Sequence, residues 1–242
     1  MKIKFMKIKW FKTIDSTNNR IALDKDNLAD KTVYMTDFQT AGKGQRGNGW
    51  ESAKAENLLF SILFKPADIL AEDQFIISQA VTLGIVDYVR SKGITAKIKW
   101  PNDIYVGDRK ICGILIENAI NGSSLVSSIV GIGFNLNQLS FSADIPNPVS
   151  LSMLTDVRYD LKEELLSLLH FIFSEYEKRS PETEERYAAS LYRLGKPHTY
   201  IHTASGNTFT GSIKGVDRSA RVIIDTEEGE KAFAFKEIQY II

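Results

Sequence analysis

Apolar and polar positions follow two periodicities along the chain, and together these predict strands and helices. Strict alternation, or a short continuous apolar run, predicts strands in the first 140 residues. The predicted strands are Ile8 to Ile14, Thr32 to Phe38, Asn57 to Phe64 ("NLLFSILF"), Thr95 to Trp100 and Leu125 to Phe134. The segment "IYVGDRKICGILIE" adds a hairpin, whose two-residue turn is Gly107-Asp108.

Helical spacing of apolar residues predicts four helices. Asp15-Ser16-Thr17 is a good N-cap for a short helix that ends near Asp24. A long helix is predicted from Ala71 to Lys92, with Gly93 closing it. A second long amphipathic helix carries Leu161, Leu165, Leu168, Ile172 and Tyr176 on one face. A further helix is predicted from Pro181 to Leu194, ending at Gly195.

The order of these elements indicates an α+β fold with two domains. Strands with few helices and a hairpin favour a mixed or antiparallel sheet with flanking helices over repeated βαβ units. Residues 196–242 read as short strands with turns at Ser205-Gly206-Asn207, Asp217-Arg218-Ser219 and Glu228-Gly229, which is typical of a small β-barrel. We therefore predict a first domain over residues 1–194 and a small C-terminal β-barrel domain over residues 195–242.

Composition narrows the class of protein. The 242 residues are 43% hydrophobic and 25% charged, and 30 basic residues balance 30 acidic ones, so overall charge does not indicate a nucleic-acid or membrane surface. The single Cys112 cannot form an intramolecular disulfide, which favours a reducing compartment. Since the basic N-terminus has no apolar core segment and no apolar run approaches about 20 residues, we expect a soluble cytoplasmic protein.

The stretch "AGKGQRGNGW", residues 41–50, contains a literal G-x-G-x-x-G. A dinucleotide loop would open a helix, whereas this stretch leads into the apolar strand "NLLFSILF". The phosphate loop of nucleotide hydrolases fails because Asn48 follows Gly47, and no kinase motif lies downstream. A flexible, amide-rich loop with Lys43 and Arg46 suits a phosphate or carboxylate. The alternative is a solvated glycine-rich hairpin with incidental charges.

Three further segments carry candidate chemistry. Lys99-Trp-Pro-Asn-Asp103 places a cation at a strand end and two oxygen ligands after it, suited to phosphates or Mg²⁺, although for this segment alone a simple Pro-Asn-Asp turn is the better explanation. Lys110 and Gly113 lie on the returning hairpin strand. "VGIGFNLN", residues 130–137, has glycines late in an apolar strand, which suggests close approach of a planar ring or sugar, or else a bulge or crowded packing.

Taken together and in this order, these segments resemble the biotin–protein ligases (biotin–[acetyl-CoA carboxylase] ligases). The motifs are D-S-T-N from Asp15, Gln39 with the glycine loop, K-W-P-N-D from Lys99, Lys110 with Gly113, and G-x-G-x-N-x-N from Gly131. Each motif is weak alone, but jointly they are specific, and the resemblance covers essentially the whole chain. It implies a class II aminoacyl-tRNA synthetase-like catalytic fold for residues 1–194 and an SH3-like barrel at the C-terminus.

The resemblance implies an ATP-dependent enzyme. Members activate biotin with MgATP to biotinyl-5′-AMP and pyrophosphate, and then transfer biotin to one lysine of a biotin carboxyl carrier domain. A sister activity, lipoate or octanoate–protein ligase, is the nearest alternative. A non-catalytic nucleotide- or RNA-binding module is the alternative from another class.

The resemblance also assigns roles to individual residues. Lys99 and Arg46 are implied as catalytic cations. The implied biotin contacts are Ser16, Thr17, Asn18, Gln39, Lys43, Gly44, Gln45 and Lys99. The implied ATP contacts are Arg46, Trp50, Asn102, Asp103, Lys110 and Asn135. No side chain is assigned as a dedicated metal ligand, and Cys112 is taken as a small buried hydrophobe rather than a thioester nucleophile.

The chain departs from the family pattern at two places. The familiar bacterial loop reads G-R-G-R-R-G, whereas Lys43 and Gln45 stand here. Because lysine cannot make the forked contacts of arginine, we expect weaker retention of the adenylate. Members that also repress transcription carry an N-terminal DNA-binding module of about 60 residues. Since the first motif begins at Asp15, we expect a monofunctional enzyme without DNA or membrane partners, and a homodimer stays open.

Overall fold

The computed structural model describes residues 7–44 and 48–242. The strands are β1 (Ile8–Phe11), β2 (Thr32–Thr36), β3 (Leu58–Phe64), β4 (Lys97–Lys99), β5 (Asp103–Val106), β6 (Arg109–Asn121), β7 (Ser124–Phe134), β8 (Pro197–His202), β9 (Thr208–Val216), β10 (Val222–Thr226), β11 (Gly229–Phe233) and β12 (Ile238–Tyr240). The α-helices are α1 (Thr17–Asp24), α2 (Phe75–Ser91), α3 (Leu151–Thr155), α4 (Leu161–Glu177) and α5 (Pro181–Ala189).

The chain divides into two compact units. The first combines Met1–Gln74 with Arg109–His170, and the second combines Phe75–Asp108 with Phe171–Ile242. The predicted domains, 1–194 and 195–242, follow the change in sequence texture and stay a prediction.

The first unit is built on a mixed sheet in the order β1-β2-β3-β7-β6. β1 and β2 are parallel, while the pairs β2–β3, β3–β7 and β6–β7 are antiparallel. This confirms the predicted α+β class with a mixed sheet. The register places Ser61 opposite Gly131 and Gly113 opposite Gly133.

The core of the first unit lies around the central strand β3. Every residue of Leu58–Phe64 is buried, which explains why this strand is apolar throughout apart from one serine. Helix α1 packs on the sheet through Ile21, which joins Tyr34, Leu63 and Ile129 in one buried cluster. The short helix is thereby anchored with its N-terminal residues at the sheet face.

The second unit contains α2, the antiparallel pair β4–β5, and a five-stranded antiparallel sheet in the order β11-β10-β9-β8-β12. Gly84 of α2 lies against α4, since a Cβ there would be 2.6 Å from Ile172 Cα. The five-stranded sheet is open in its hydrogen-bonded order, with β11 and β12 at its two ends. The antiparallel C-terminal sheet is thus present, and its closure into an SH3-like barrel stays a prediction.

Element boundaries differ from the sequence predictions where long-range pairing takes over the backbone. The predicted helix from Ala71 begins at Phe75 instead, because Ala71 N donates to Ser123 O at 2.9 Å and only a 3₁₀ turn follows. Helix α5 ends at Ala189 rather than Leu194, because the next residues pair with β4. Ser190 O accepts from Ile98 N at 2.9 Å, and Tyr192 N donates to Ile98 O at 2.8 Å.

Two further differences concern short elements. β1 ends at Phe11 rather than Ile14, although Ile14 resumes contact through an isolated parallel bridge to Gln39. Helix α3 was not predicted; it begins after Ser150, whose side chain accepts a hydrogen bond from Met153 N. Five residues are too few to show a helical period in the sequence.

Candidate active site

A buried polar cluster stands at the N-terminus of α1. Ser16, Thr17 and Asn18 are each at most 3% exposed. Thr17 donates to Gln39 Oε1 twice, from its backbone N at 2.8 Å and from Oγ1 at 3.1 Å. The structure therefore brings together the four residues predicted to contact the biotin ring, with Ser16 as the N-cap of α1 and Gln39 in the segment that follows β2. Ser16 occupies the cap position in extended conformation, but its side chain makes no capping hydrogen bond.

Two residues that the sequence analysis missed complete this cluster. Ser61 Oγ lies 2.6 Å from both Thr17 Oγ1 and Asn18 Oδ1. A serine hydroxyl has one proton, so Ser61 donates to one of these oxygens at a time. Asn18 Nδ2 donates to Glu117 Oε2 at 2.6 Å, across 99 residues of sequence. The Asn18 amide is therefore held at both ends, by Ser61 at its oxygen and by Glu117 at its nitrogen.

Gly131 of β7 provides the space for Asn18. A Cβ at this position would lie 2.3 Å from Asn18 Oδ1 and 2.9 Å from its Cγ, far inside van der Waals contact. Because Gly131 is the cross-strand partner of Ser61, both residues meet Asn18 on the same face of the sheet. The expected close approach at Gly131 is thus made by a protein side chain.

A cross-strand pair of glycines forms a flat floor beneath Trp50. Gly113 and Gly133 are opposite each other on β6 and β7. A Cβ on Gly133 would be 2.3 Å from Trp50 Cε2, and one on Gly113 would be 2.7 Å from Trp50 Cζ3. The indole ring therefore rests directly on backbone. Its Nε1 is buried and, among the residues that the structure describes, has no hydrogen-bond partner.

Lys110, one of the residues predicted to contact ATP, lies beside this indole, and a second, Asn135, hydrogen-bonds to the Lys110 backbone. Lys110 Nζ stands 5.7 Å from the Trp50 ring centroid. The amide of Asn135 is 3% exposed and donates to two backbone carbonyls, Val149 O at 3.1 Å and Lys110 O at 3.4 Å. Asn135 therefore ties the start of β6 to the segment before α3 and helps to place Lys110.

The described parts of the glycine loop form a short ladder. Lys43 and Gly49 make an isolated antiparallel bridge, Gly44 N donates to Asn48 O at 2.7 Å, and Trp50 N donates to Gly42 O at 3.0 Å. The ladder places Trp50 at the end of the loop, paired with Gly42. The remaining residues of the loop to which roles were assigned, Gln45 and Arg46, lie outside the described residues.

Lys43 is directed back towards the start of α1. Its Nζ donates to Asn19 Oδ1 at 2.6 Å, and Asn19 Nδ2 donates to Asp15 Oδ2 at 2.8 Å. The Asn19 hydrogen bond, together with backbone hydrogen bonding and the Lys43 charge, lowers the pKa of Asp15. These hydrogen bonds from Lys43 through Asn19 to Asp15 favour the ionised form of Asp15 and place a cation beside the polar cluster.

The remaining predicted residues, Lys99, Asn102 and Asp103, lie in the second unit. Lys99 and Asp103 are register partners at the end of the β4–β5 pair, and Asn102 in the turn between them is 6% exposed. Lys99 Nζ donates to Tyr105 OH at 3.2 Å. The turn is anchored because Tyr187 OH donates to Pro101 O at 2.7 Å. The structure therefore groups these three residues at one strand end, as the sequence predicts.

Other features of the chain bear on the chemistry. Cys112 is fully buried on β6 beside Gly113, as expected of a small hydrophobic residue. Within residues 7–44 and 48–242 no cluster of three His, Cys, Asp or Glu side chains is placed to hold a metal ion. In the same residues, no helix has both the length and the apolar character needed to cross a membrane.

The buried polar cluster at the start of α1 and the Trp50 indole on its glycine pair both lie on the mixed sheet of the first unit. The family model described as the biotin/lipoate A/B protein ligase family matches residues 10–135, just over half of the 242-residue chain. The chain belongs to this family, as the motifs from Asp15 to Asn137 predict.

Named relatives lie on the biotin side of this family. The biotin–[acetyl-CoA-carboxylase] ligase of Paracoccus denitrificans is 28% identical over 238 residues, which cover 93% of this chain and 96% of that protein. The bifunctional ligase/repressor BirA of Bacillus subtilis is 27% identical over 228 residues, covering 90% of this chain and 68% of that protein.

Solved structures agree with these relatives. The biotin protein ligase from Aquifex aeolicus in complex with biotin and ATP superimposes with a TM-score of 0.80 at 28% identity, covering 97% of this chain and 98% of that one. The mixed sheet with few helices is therefore the biotin ligase catalytic fold.

Proposed function

We propose that this protein is an ATP-dependent biotin–protein ligase. In the first step a carboxylate oxygen of biotin attacks the α-phosphorus of ATP, the bond to the β-phosphate oxygen breaks, and pyrophosphate leaves. In the second step a lysine amine of a carrier domain attacks the acyl carbon of biotinyl-5′-AMP. The bond to AMP breaks, the amine loses a proton, and an amide forms.

The observation that carries this proposal is the buried cluster of Thr17, Asn18, Gln39 and Ser61. The ureido ring of biotin presents two N–H donors and one carbonyl acceptor, so it needs donors and acceptors fixed in a small pocket. Thr17 and Gln39 are already hydrogen-bonded to each other, and Asn18 is oriented by Ser61. The remaining hydrogen-bonding groups of these side chains therefore point in fixed directions. Preorganisation of this kind favours binding because little ordering remains to be done.

Residues next to this cluster are assigned to the biotin tail and to the nucleotide. We assign Lys43 and Gly44, together with Gln45, to the biotin tail, and Trp50, Lys110 and Asn135 to the nucleotide. Trp50 offers a flat aromatic face on the Gly113–Gly133 floor, and Lys110 adds a cation beside it. The nucleotide would stack on the indole ring or accept a hydrogen bond from its Nε1, which has no partner among the described residues.

Charge neutralisation is the main catalytic requirement of adenylation. The attacking carboxylate and the α-phosphate are both anionic, so cations aimed at them lower the barrier. We assign this role to Lys99 and to Arg46. Asn102 and Asp103 stand beside Lys99 at the same strand end and are assigned to the nucleotide.

Mg²⁺ enters the proposal with ATP. It is a hard cation that prefers oxygen ligands and is commonly held by one or two carboxylates together with phosphates. The donor set fits, because Asp103 supplies a carboxylate and Asn102 an amide oxygen; when bound, the ion would add positive charge at the phosphates. The partner that we propose is a biotin carboxyl carrier domain of an acetyl-CoA or related carboxylase, and the C-terminal sheet is proposed to close as an SH3-like barrel.

The test is a labelling assay with the intact protein. With ATP, Mg²⁺, biotin and a validated carrier domain, we expect pyrophosphate release and a carrier mass gain of one biotinyl group. Parallel reactions with lipoate and octanoate separate this proposal from the sister activity. A carrier that gains lipoyl or octanoyl groups but no biotin would assign the other branch, and no gain with any acid would overturn the proposal.

A further inference from the structure

Lys99 is enclosed by two tyrosine rings from different strands of the second unit. Its Nζ lies 4.9 Å from the ring centroid of Tyr105 on β5 and 5.1 Å from that of Tyr240 on β12. Both distances are within the range in which a ring face attracts an ammonium group. The Tyr105 hydroxyl, 3.2 Å from Nζ, accepts a hydrogen bond as well.

The two rings are themselves held in place by neighbouring aromatic residues. Tyr192 lies between them, with its ring centroid 5.5 Å from Tyr105 and 6.3 Å from Tyr240. Its hydroxyl donates to Asp108 Oδ1 at 2.5 Å. Tyr200 packs edge-on against Tyr240 at 5.3 Å. The rings are therefore part of a packed cluster and are not free to turn away.

Both phenols stay neutral over the working pH range. Burial raises the pKa of Tyr105, and the charge of Asp103 adds to this; burial is also the main cause that raises the pKa of Tyr240. A neutral ring attracts an ammonium group without cancelling its charge. A lysine held in this way can still meet an incoming anion.

The hydroxyl of Tyr240 adds a second observation. It is buried and, in the described part of the chain, has no hydrogen-bond partner, so it contributes nothing to holding its own ring. A buried hydroxyl without a partner is usually unfavourable. What Tyr240 offers to Lys99 is therefore its ring face.

We propose that Tyr105 and Tyr240 form an aromatic clamp that positions the Lys99 ammonium group for adenylation. Tyr240 would then be a positioning residue that links the C-terminal sheet to the chemistry. This inference rests on the proposed function, in which Lys99 meets the biotin carboxylate and the α-phosphate. The clamp sets where the cation points, while the register partner Asp103 lies across the strand pair from it.

The kinetic test compares substitutions that keep or remove the ring. Tyr240→Leu should lower biotin-dependent pyrophosphate release roughly 3- to 30-fold. Tyr240→Phe keeps the ring and should stay within about threefold of the wild type. In a Lys99→Ala background, Tyr240→Leu should have less than about a twofold further effect, because the group that it positions is gone.

Phe233→Leu is the matched control. Phe233 is a buried ring of the same sheet, stacked on Phe209 at 5.3 Å. It should lower the melting temperature about as much as Tyr240→Leu while leaving the rate close to wild type. Equal losses in Tyr240→Phe and Tyr240→Leu, an additive double variant, or an equal loss in Phe233→Leu would each overturn the clamp.

A spectroscopic readout tests the clamp without any enzymatic turnover. Lysines of the intact protein are reductively methylated with ¹³C, and the Lys99 resonance is assigned by its disappearance in Lys99→Arg. The Tyr240 ring face should shift this resonance upfield in the wild type and in Tyr240→Phe, and the shift should shrink in Tyr240→Leu. An unshifted resonance in an active enzyme overturns the clamp, whereas a shifted resonance in a protein that activates no acid overturns the proposed function and leaves the clamp standing.

Discussion

Asn18 on α1 and Gly131 on β7 fit together without room for one more carbon atom. A Cβ on Gly131 would lie 2.3 Å from Asn18 Oδ1. Since Asn18 Oδ1 is also 2.6 Å from Ser61 Oγ, the amide cannot move without breaking the hydrogen-bonded cluster. The glycine in β7 is therefore required for the packing of the polar cluster around Asn18.

Gly131→Ala should consequently weaken biotin binding. The added methyl group overlaps the Asn18 amide, and overpacking of a filled site typically costs about 1–3 kcal/mol. We expect the Kd for biotin to rise roughly 5- to 100-fold, measured by isothermal titration calorimetry. Gly215→Ala on β9 is the control, because a Cβ there meets nothing within 4 Å. Biotin binding at wild-type strength in Gly131→Ala would contradict the assignment of Asn18 to the pocket.

Gly133→Ala should disturb the nucleotide side instead. Its methyl group would lie 2.3 Å from Trp50 Cε2, so the indole must leave its floor. In a protein with Trp10→Phe and Trp100→Phe, the fluorescence of Trp50 should shift to the red as the ring becomes more exposed. The KM for ATP should rise several-fold with little change in the Kd for biotin. An unchanged emission spectrum would show that the ring does not rest on Gly133.

The strong elements of the fold could be predicted from the sequence because their apolar patterns are unambiguous. Strand Leu58–Phe64 is buried throughout, and its continuous apolar run predicts a buried strand. Strand β6, the returning strand of the predicted hairpin, extends past its predicted end at Glu117 to Asn121. The pair Asn121-Gly122 is a strong hairpin turn signal that could have revealed this. The ends of α5 and β1 could not be read, because pairing with distant strands sets them.

The candidate site also contains residues that the sequence could reveal and residues that it could not. Residues that lie within short motifs, such as Thr17 and Lys99, could be proposed because the motif carries them. Ser61 was missed although a lone serine inside an apolar strand is a usable signal of a buried polar contact. Glu117 was not readable, since its contact with Asn18 spans 99 residues. The clamp around Lys99 depends on Tyr240, which lies in a different domain of the predicted division.

Ser61→Ala should reduce biotin affinity selectively. Removing this hydroxyl takes away the donor that one of the two buried oxygens, Thr17 Oγ1 or Asn18 Oδ1, receives at a time, which costs about 1–3 kcal/mol. We expect the Kd for biotin to rise about tenfold or more and the KM for ATP to stay nearly constant. Ser128→Ala is the matched control, because Ser128 is an equally buried serine on β7 whose hydroxyl bonds to Asn118. Equal losses in both variants would mean that the effect is general destabilisation.

The glycine loop yields a prediction about retention of the intermediate. Changing both Lys43→Arg and Gln45→Arg restores the pattern G-R-G-R-R-G. Arginine forks bind carboxylate and phosphate with two parallel hydrogen bonds, which lysine and glutamine cannot do. The release rate of biotinyl-5′-AMP, measured by filter binding with labelled biotin, should fall several-fold. A release rate equal to that of the wild type would show that backbone amides and Arg46 already determine retention.

Lys99→Ala should lower the rate of adenylation severely while the protein stays folded. Removing a cation aimed at the developing charge costs roughly 10²- to 10³-fold in rate. The measurement is biotin-dependent pyrophosphate release, with the melting temperature from circular dichroism as the check on folding. Lys97→Ala is the matched control, because Lys97 is a half-buried lysine on the same strand that donates to Ala189 O at 3.2 Å. It should release pyrophosphate at close to the wild-type rate. Adenylation at wild-type rate in Lys99→Ala would remove Lys99 from the catalytic step and, with it, the reason for the Tyr105–Tyr240 clamp.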